Sequence, residues 1–208
     1  MKLIRDILKL IVVIILALGT IVGFSYTNML LSGYKEYIFY IIPSSSMFVV
    51  IGIMAIAIFI FVNRKILSKG TKILASILCL LGLFYSYTTY RVITEENIIV
   101  HDILNFKGKF YSYSDTEEIN TGIFSKRRDV NLYYQLKLKD GTKVEVLDAS
   151  IDSKYEDIEE ALYDLDRKLV KSGVKKNIEL KNLQKFIDQN YDKNYVKDVM
   201  KILEQNES

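Results

Sequence analysis

Residues 72–101 read KILASILCLLGLFYSYTTYRVITEENIIVH, and the fold turns on where this stretch changes character. Ile73 to Tyr90 are 18 consecutive uncharged residues. As a helix they rise about 27 Å, close to the roughly 30 Å of a bilayer's hydrocarbon core. From Tyr90 onward the period is two. Tyr90-Arg91-Val92-Ile93-Thr94 reads as a strand, Glu95-Glu96-Asn97 as a turn, and Ile98 to Phe106 is rich in β-branched and aromatic residues. The boundary near Tyr90 is therefore a change of solvent.

Two further uncharged runs lie upstream, 25 residues between Lys9 and Lys35 and 27 between Glu36 and Arg64. The first opens LIVVIILALGTIVGF, with no polar face for a soluble core helix to show to water. Its apolar residues contribute about −3 to −7 kcal/mol to membrane insertion if central. The expectation is three membrane spans, at about 10–31, 43–62 and 73–90, making 1–90 a transmembrane region. Lys2, Arg5 and Lys9 ahead of the first run also resemble the start of a signal peptide. No A-x-A-like site follows, and the run continues through Met29, Leu30 and Leu31, which favours an uncleaved anchor.

Pro43 is the only proline. It suits the first turn of a helix, where its missing N–H costs nothing. The second span then starts at Pro43 and ends at Val62; a kinked span from Tyr37 is the alternative. No acidic or basic residue falls inside a span, so the usual mark of an ion path is missing. Cys79, the only cysteine, lies mid-span and reads as a small apolar residue; one cysteine makes no internal disulfide.

Charge divides at the same boundary. Residues 1–90 hold 8 Lys+Arg against 2 Asp+Glu, and residues 91–208 hold 20 against 23. The pI near 8.7 averages two unlike halves, so it is no argument for nucleic acid. Half the chain is apolar, which excludes a disordered or collagen-like polymer. Arg64, Lys65, Lys69 and Lys72 crowd the second connector, and Lys2, Arg5 and Lys9 precede the first span. The first outer loop holds only Lys35. Basic-residue bias puts the N-terminus and that connector in the cytoplasm and residues 91–208 outside.

Beyond the spans, a hairpin runs from Leu132 to Leu147. Leu132, Tyr134, Leu136 and Leu138 alternate with polar residues, and Asp140-Gly141 marks the turn. A three-residue loop pairs Leu136 with Val144 and Tyr134 with Val146, with Gly141 in the left-handed position. A two-residue loop would set Leu136 opposite Glu145. Next comes an amphipathic helix. Ser153 and Glu156 fit a capping box, Tyr155, Ile158, Leu162, Leu165 and Leu169 form an apolar stripe, and Gly173 ends it. Residues 173–208 offer a tail with two shorter helices, one carrying Leu180, Leu183, Phe186 and Ile187, the other Val196, Val199, Met200 and Leu203. Neither is stable alone, so they should pack on the strands or on a partner.

TTYRVITEENIIVHDIL, the Tyr-rich strand after it and the Asp-Thr-Glu-Glu-Ile segment together resemble the membrane-attached pleckstrin-homology-like (PH-like) domains of bacteria. The resemblance spans about residues 88–171 and rests on degenerate strand patterns. It implies a PH-like domain over 91–172: a strongly bent antiparallel sheet capped by a C-terminal helix, α+β in class. Inositol-lipid recognition is not carried over, because the first strand–strand loop, Thr94-Glu95-Glu96-Asn97, is acidic.

Chemistry-bearing patterns are sparse. His101 is the only histidine, so no histidine cluster exists for a metal, and no phosphate-cradling glycine motif is present. His101 reads as a half-exposed strand residue. Paired acids such as Glu95-Glu96 sit on turns, where nothing raises their pKa for acid work. No catalytic, cofactor-binding or metal site is expected, and no cofactor. The basic triplet Lys126, Arg127 and Arg128 is the one candidate contact for a partner or an anionic headgroup; a solvated loop is the bland alternative. The expected function is a non-catalytic, multi-pass cell-membrane protein presenting a binding or scaffolding domain at the surface. Its expected partners are the lipid bilayer and another membrane or envelope protein, not nucleic acid. The alternative is an accessory or immunity-type membrane protein whose transmembrane helices carry the function.

Overall fold

The computed structural model describes residues 23–204 apart from 25, 35, 64, 127, 128, 149, 154 and 156. The chain separates into two compact units. The first holds the described residues up to Tyr34, then 42–90 and 101–107. The second holds 36–41, 91–100 and the chain from Gly108 onward.

In the first unit, residues 26–32 are helical. Two long helices follow, α1 (Ser44–Val62) and α2 (Lys69–Thr88). Pro43 takes the N-cap position of α1, and Asn63 closes the helix by donating its N–H to the Phe59 carbonyl. Ser68 caps α2 by accepting from the Thr71 N–H at 3.1 Å. The two helices pack closely at Gly82, where a Cβ would lie 2.9 Å from Ile53 Cδ1 and 3.2 Å from Val49 Cγ1. A polar seam joins their Ser44 and Thr88 ends. Ser86 Oγ donates to the Ser46 carbonyl, and Ser46 Oγ to the Thr89 carbonyl, both at 3.3 Å. Asn28 Nδ2 donates to the Ser86 carbonyl at 3.3 Å. Small hydroxyl and amide side chains at such a seam bond the neighbouring backbone carbonyls while letting the backbones approach.

In the second unit, nine strands among the described residues form two sheets. β1 (Phe39–Ile42), β2 (Tyr90–Ile93), β3 (Asn97–His101), β4 (Lys109–Ser112) and β8 (Ser150–Ser153) make a sheet in the order β4-β3-β2-β1-β8. β5 (Thr116–Lys126), β6 (Asp129–Leu138), β7 (Lys143–Glu145) and β9 (Lys175–Glu179) make the other, in the order β7-β6-β5-β9. Ile42 of β1, Tyr90 of β2 and His101 of β3, the terminal residues of their strands, belong to the first unit. β1 pairs antiparallel with β2, Phe39 opposite Ile93 and Ile41 opposite Arg91. β9 pairs parallel with β5, Glu118 opposite Lys175 through Gly122 opposite Glu179.

The β6–β7 hairpin adopts the register in which Leu136 faces Val144. The Gly141 N–H donates to the Leu138 carbonyl at 2.8 Å, with Gly141 at φ 86°. Alternation along β6 buries Val130, Leu132, Tyr134, Leu136 and Leu138. Helix α3 (Ile158–Lys171) lays Leu162, Leu165 and Leu169 on this core. Asp157 caps it, its carboxylate accepting from the Glu160 N–H at 3.0 Å, rather than Ser153 as the spacing predicts. Ser153 instead closes β8 and accepts from the Tyr155 N–H at 3.1 Å. At the far end the Val174 N–H reaches the Leu169 carbonyl and the Gly173 N–H the Val170 carbonyl, with Gly173 left-handed. The tail joins this core. β9 extends the second sheet, and α4 (Leu183–Ile187) and α5 (Lys193–Leu203) bury Phe186, Val199, Ile202 and Leu203.

The expectation of three spans is corrected. Among the described residues, two helices are long and apolar enough to cross a membrane, α1 and α2. The expected first span, 10–31, falls mostly outside the described residues. Of its described residues, 23–24 and 26–31 are helical. Part of the second uncharged run is no span at all, since Phe39–Ile42 is a strand whose Phe39 and Ile41 lie in the core of the second unit. The single bent PH-like sheet is corrected as well: two sheets form, one of them with a parallel pair. The α+β class expected beyond residue 90 is compatible with the structure.

Candidate functional site

Lys126 closes β5, paired in register with Asp129 of β6. Arg127 and Arg128 lie outside the described residues, so the basic triplet has no described geometry as a site. His101 is buried rather than half-exposed. Its ring stacks on Tyr90 with centroids 4.1 Å apart and planes 15° from parallel. Nδ1 lies 3.1 Å from the Phe106 carbonyl and Nε2 lies 3.1 Å from the Tyr34 hydroxyl. A carbonyl only accepts, so Nδ1 carries the proton and Nε2 accepts from Tyr34. Burial lowers the imidazole pKa. Both nitrogens of this neutral ring are engaged, which leaves no lone pair for a base or a metal. Among the described residues no group of three or more His, Cys, Asp or Glu is placed to hold a metal ion.

In the second unit, a groove forms where α3 faces the turn between β2 and β3. That turn is closed by the Thr94 N–H donating to the Asn97 carbonyl at 2.9 Å, which projects Glu95. The open cleft has a volume of about 270 Å³. Its apolar lining is Ile38, Ala161 and Leu165, and its charged rim includes Asp164, Lys168 and Lys171. The helical spacing of three and four puts Ala161, Asp164, Leu165 and Lys168 on one face of α3. Glu95 accepts a hydrogen bond from the Tyr155 hydroxyl at 3.1 Å and a salt bridge from the Lys168 ammonium. The Glu95 carboxylate raises the Tyr155 phenol above its ordinary pKa. A carboxylate engaged on both oxygens is a fixed charge, not a free base.

A second cleft, about 310 Å³, shares Glu95 and is lined also by Glu36, Tyr37, Thr94 and Glu96. The Tyr37 hydroxyl donates to Asp152 at 2.5 Å, and burial together with that carboxylate pushes its pKa up to about 12. The two clefts give this face an apolar floor and a rim of mixed charge. Such a surface suits a peptide segment with one apolar side chain and flanking charges.

Asp166, a fully buried carboxylate of the second unit, has a structural role. The Lys176 ammonium donates to Asp166 Oδ2 and to the Ile202 carbonyl, both at 2.6 Å, and the Tyr134 hydroxyl donates to Asp166 Oδ1 at 2.9 Å. Burial pushes the Asp166 carboxyl up, against the pull of Lys176 and Tyr134. This cluster ties β6, α3, β9 and the end of α5 together. Neither Asp166 nor Lys176 stands out in the sequence, where both resemble ordinary surface charges.

No protein-family model, curated protein or solved structure matches the chain.

Proposed function

We propose that this chain is a membrane-anchored, non-catalytic binding module. In this reading α1 and α2 cross the bilayer as an antiparallel pair, and the second unit presents the groove at Glu95 to another membrane or envelope protein. One observation carries the reading. α1, and α2 beyond Lys72, carry no charged side chain and are mostly apolar, yet only 11% and 6% of their most apolar windows are buried. A soluble protein's core helix would be covered by protein, whereas a lipid-facing helix leaves its side chains out for the acyl chains. Each is about 28–30 Å long.

The pairing of Ile41 with Arg91 supports two crossings. The strands on either side of the helical pair lie side by side, so the chain leaves and re-enters on one face of the membrane. Arg64, Lys65, Lys69 and Lys72 flank the opposite face and favour its being cytoplasmic. The second unit is then outside the cytoplasm.

Cysteine labelling tests the arrangement. In a Cys79→Ser background, Asn131→Cys should react with a membrane-impermeant maleimide in intact cells. Ile66→Cys, in the connector, should react only after permeabilisation. The opposite pattern reverses the orientation. Recovery of the full chain in the aqueous fraction without detergent overturns the anchoring.

A further inference from the structure

The loop of residues 102–107 belongs to the same compact unit as α1 and α2. It is a built turn. Asp102 Oδ1 accepts from the Leu104 N–H at 2.8 Å and the Asn105 N–H at 2.9 Å, and the Asn105 N–H also approaches the Asp102 carbonyl at 3.1 Å. The end of the loop is fixed by His101 Nδ1–H donating to the Phe106 carbonyl. This ordered frame holds large apolar side chains outward: Leu104 is 85% exposed, Phe106 58% and Ile103 44%. Lys107 follows them. A turn displaying three large apolar groups within four residues to water is unfavourable, and covering them is favoured.

We infer that the Ile103-Leu104-Phe106 loop is a second membrane contact, seated in the headgroup–acyl boundary of the leaflet from which α1 starts and α2 ends. The inference rests on the two-crossing reading of those helices. Its placement follows from the chain. Tyr90 comes two residues after the end of α2, and the His101 ring at the base of the loop is stacked on it. The Tyr34 hydroxyl meets the other side of the same imidazole. The loop is therefore pinned beside the end of a lipid-facing helix by Tyr34, Tyr90 and His101. Rings with one apolar and one polar part are favoured at that depth. Lys107 can lay its stem along the apolar layer and keep its ammonium among the headgroups. A bilayer fits this surface better than a protein, because the loop shares its unit with α1 and α2 and its base is stacked on Tyr90, two residues past the end of α2.

The chain contains no tryptophan, so one introduced indole reports its own surroundings. The full-length protein is reconstituted into phosphatidylcholine vesicles as Leu104→Trp, as Phe106→Trp and, for mid-span, as Leu78→Trp. Acyl chains are brominated either near the headgroup or near the methyl end. Leu104→Trp and Phe106→Trp should lose about half their emission to the shallow bromines and much less to the deep ones, as for a segment buried about 5–10 Å into the boundary. Leu78→Trp should show the reverse order. If Leu78→Trp is quenched and both loop indoles are untouched, the loop faces water or another protein, and this inference fails while the spans stand. If none of the three is quenched, the spans and the loop contact fall together.

Discussion

Ile41 and Arg91 sit opposite each other on adjacent antiparallel strands, although the whole helical pair lies between them in sequence. β1 is thus part of the second unit's sheet, between β2 and β8, with Phe39 and Ile41 fully buried. A fragment of residues 88–208 lacks that strand. It exposes the edges of β2 and β8 and leaves a gap in the core. It should aggregate or unfold without a cooperative transition. Residues 36–42 joined to 90–208 by a short Gly-Ser turn should unfold cooperatively in urea, monitored by circular dichroism. Equal behaviour of the two polypeptides would show that β1 is dispensable.

Lys176 and Asp166 carry a different expectation. Lys176→Met leaves a buried carboxylate with only the Tyr134 hydroxyl as donor, and should cost about 3–5 kcal/mol of stability. Adding Asp166→Leu removes the stranded charge and should restore most of the loss, because an apolar pair of similar volume often matches a buried ion pair. Urea midpoints of the joined 36–42/90–208 polypeptide measure both. A double variant as unstable as the single one would mean that packing, not the uncompensated charge, sets the cost.

What was legible in the sequence follows its periodicity. The β6–β7 hairpin register could be chosen because Leu136 must face Val144 rather than Glu145. The stripe of Leu162, Leu165 and Leu169 placed α3 on the core. β1 was not legible, because Phe39-Tyr40-Ile41-Ile42 is a fully buried strand inside an uncharged run, and hydropathy alone does not separate that from the start of a span. β9 was hidden by its charges, since Lys175-Lys176-Asn177-Ile178-Glu179 looks like solvated linker. One signal pointed to it: Gly122, isolated in a strand pattern, marks a place where another backbone comes close. The groove at Glu95 depends on a turn meeting a helix some seventy residues away, which no local pattern encodes.

Gly122 is testable on that basis. A Cβ there would lie 2.5 Å from the Glu179 carbonyl oxygen and 3.0 Å from Tyr133 Cε1. Gly122→Ala should push β9 off β5 and cost about 1–3 kcal/mol. Amide exchange at residues 175–179 should accelerate, while residues 130–138 of β6 keep their protection. Unchanged exchange in β9 would mean that the parallel pair adjusts without separating.

Asp140 gives the second unit an acid limit. Its carboxylate accepts from the Lys109 ammonium and the Tyr111 hydroxyl, both at 2.7 Å, and from the Thr142 N–H at 2.9 Å. These donors, Lys109 first, hold its pKa well below the usual carboxylate range. The folded state therefore binds this proton less readily than the unfolded chain. The contribution is complete above the unfolded value of about 3.9 and is lost as pH falls below it toward the folded value. Urea midpoints of the joined polypeptide should drop as pH falls below about 4, and Asp140→Asn should flatten that limb while lowering the plateau at neutral pH. An unchanged slope in the Asn variant would assign the acid sensitivity to other carboxylates. Asp115, held low by Ser112, and Asp102, held low by Asn105, would then be the next to substitute.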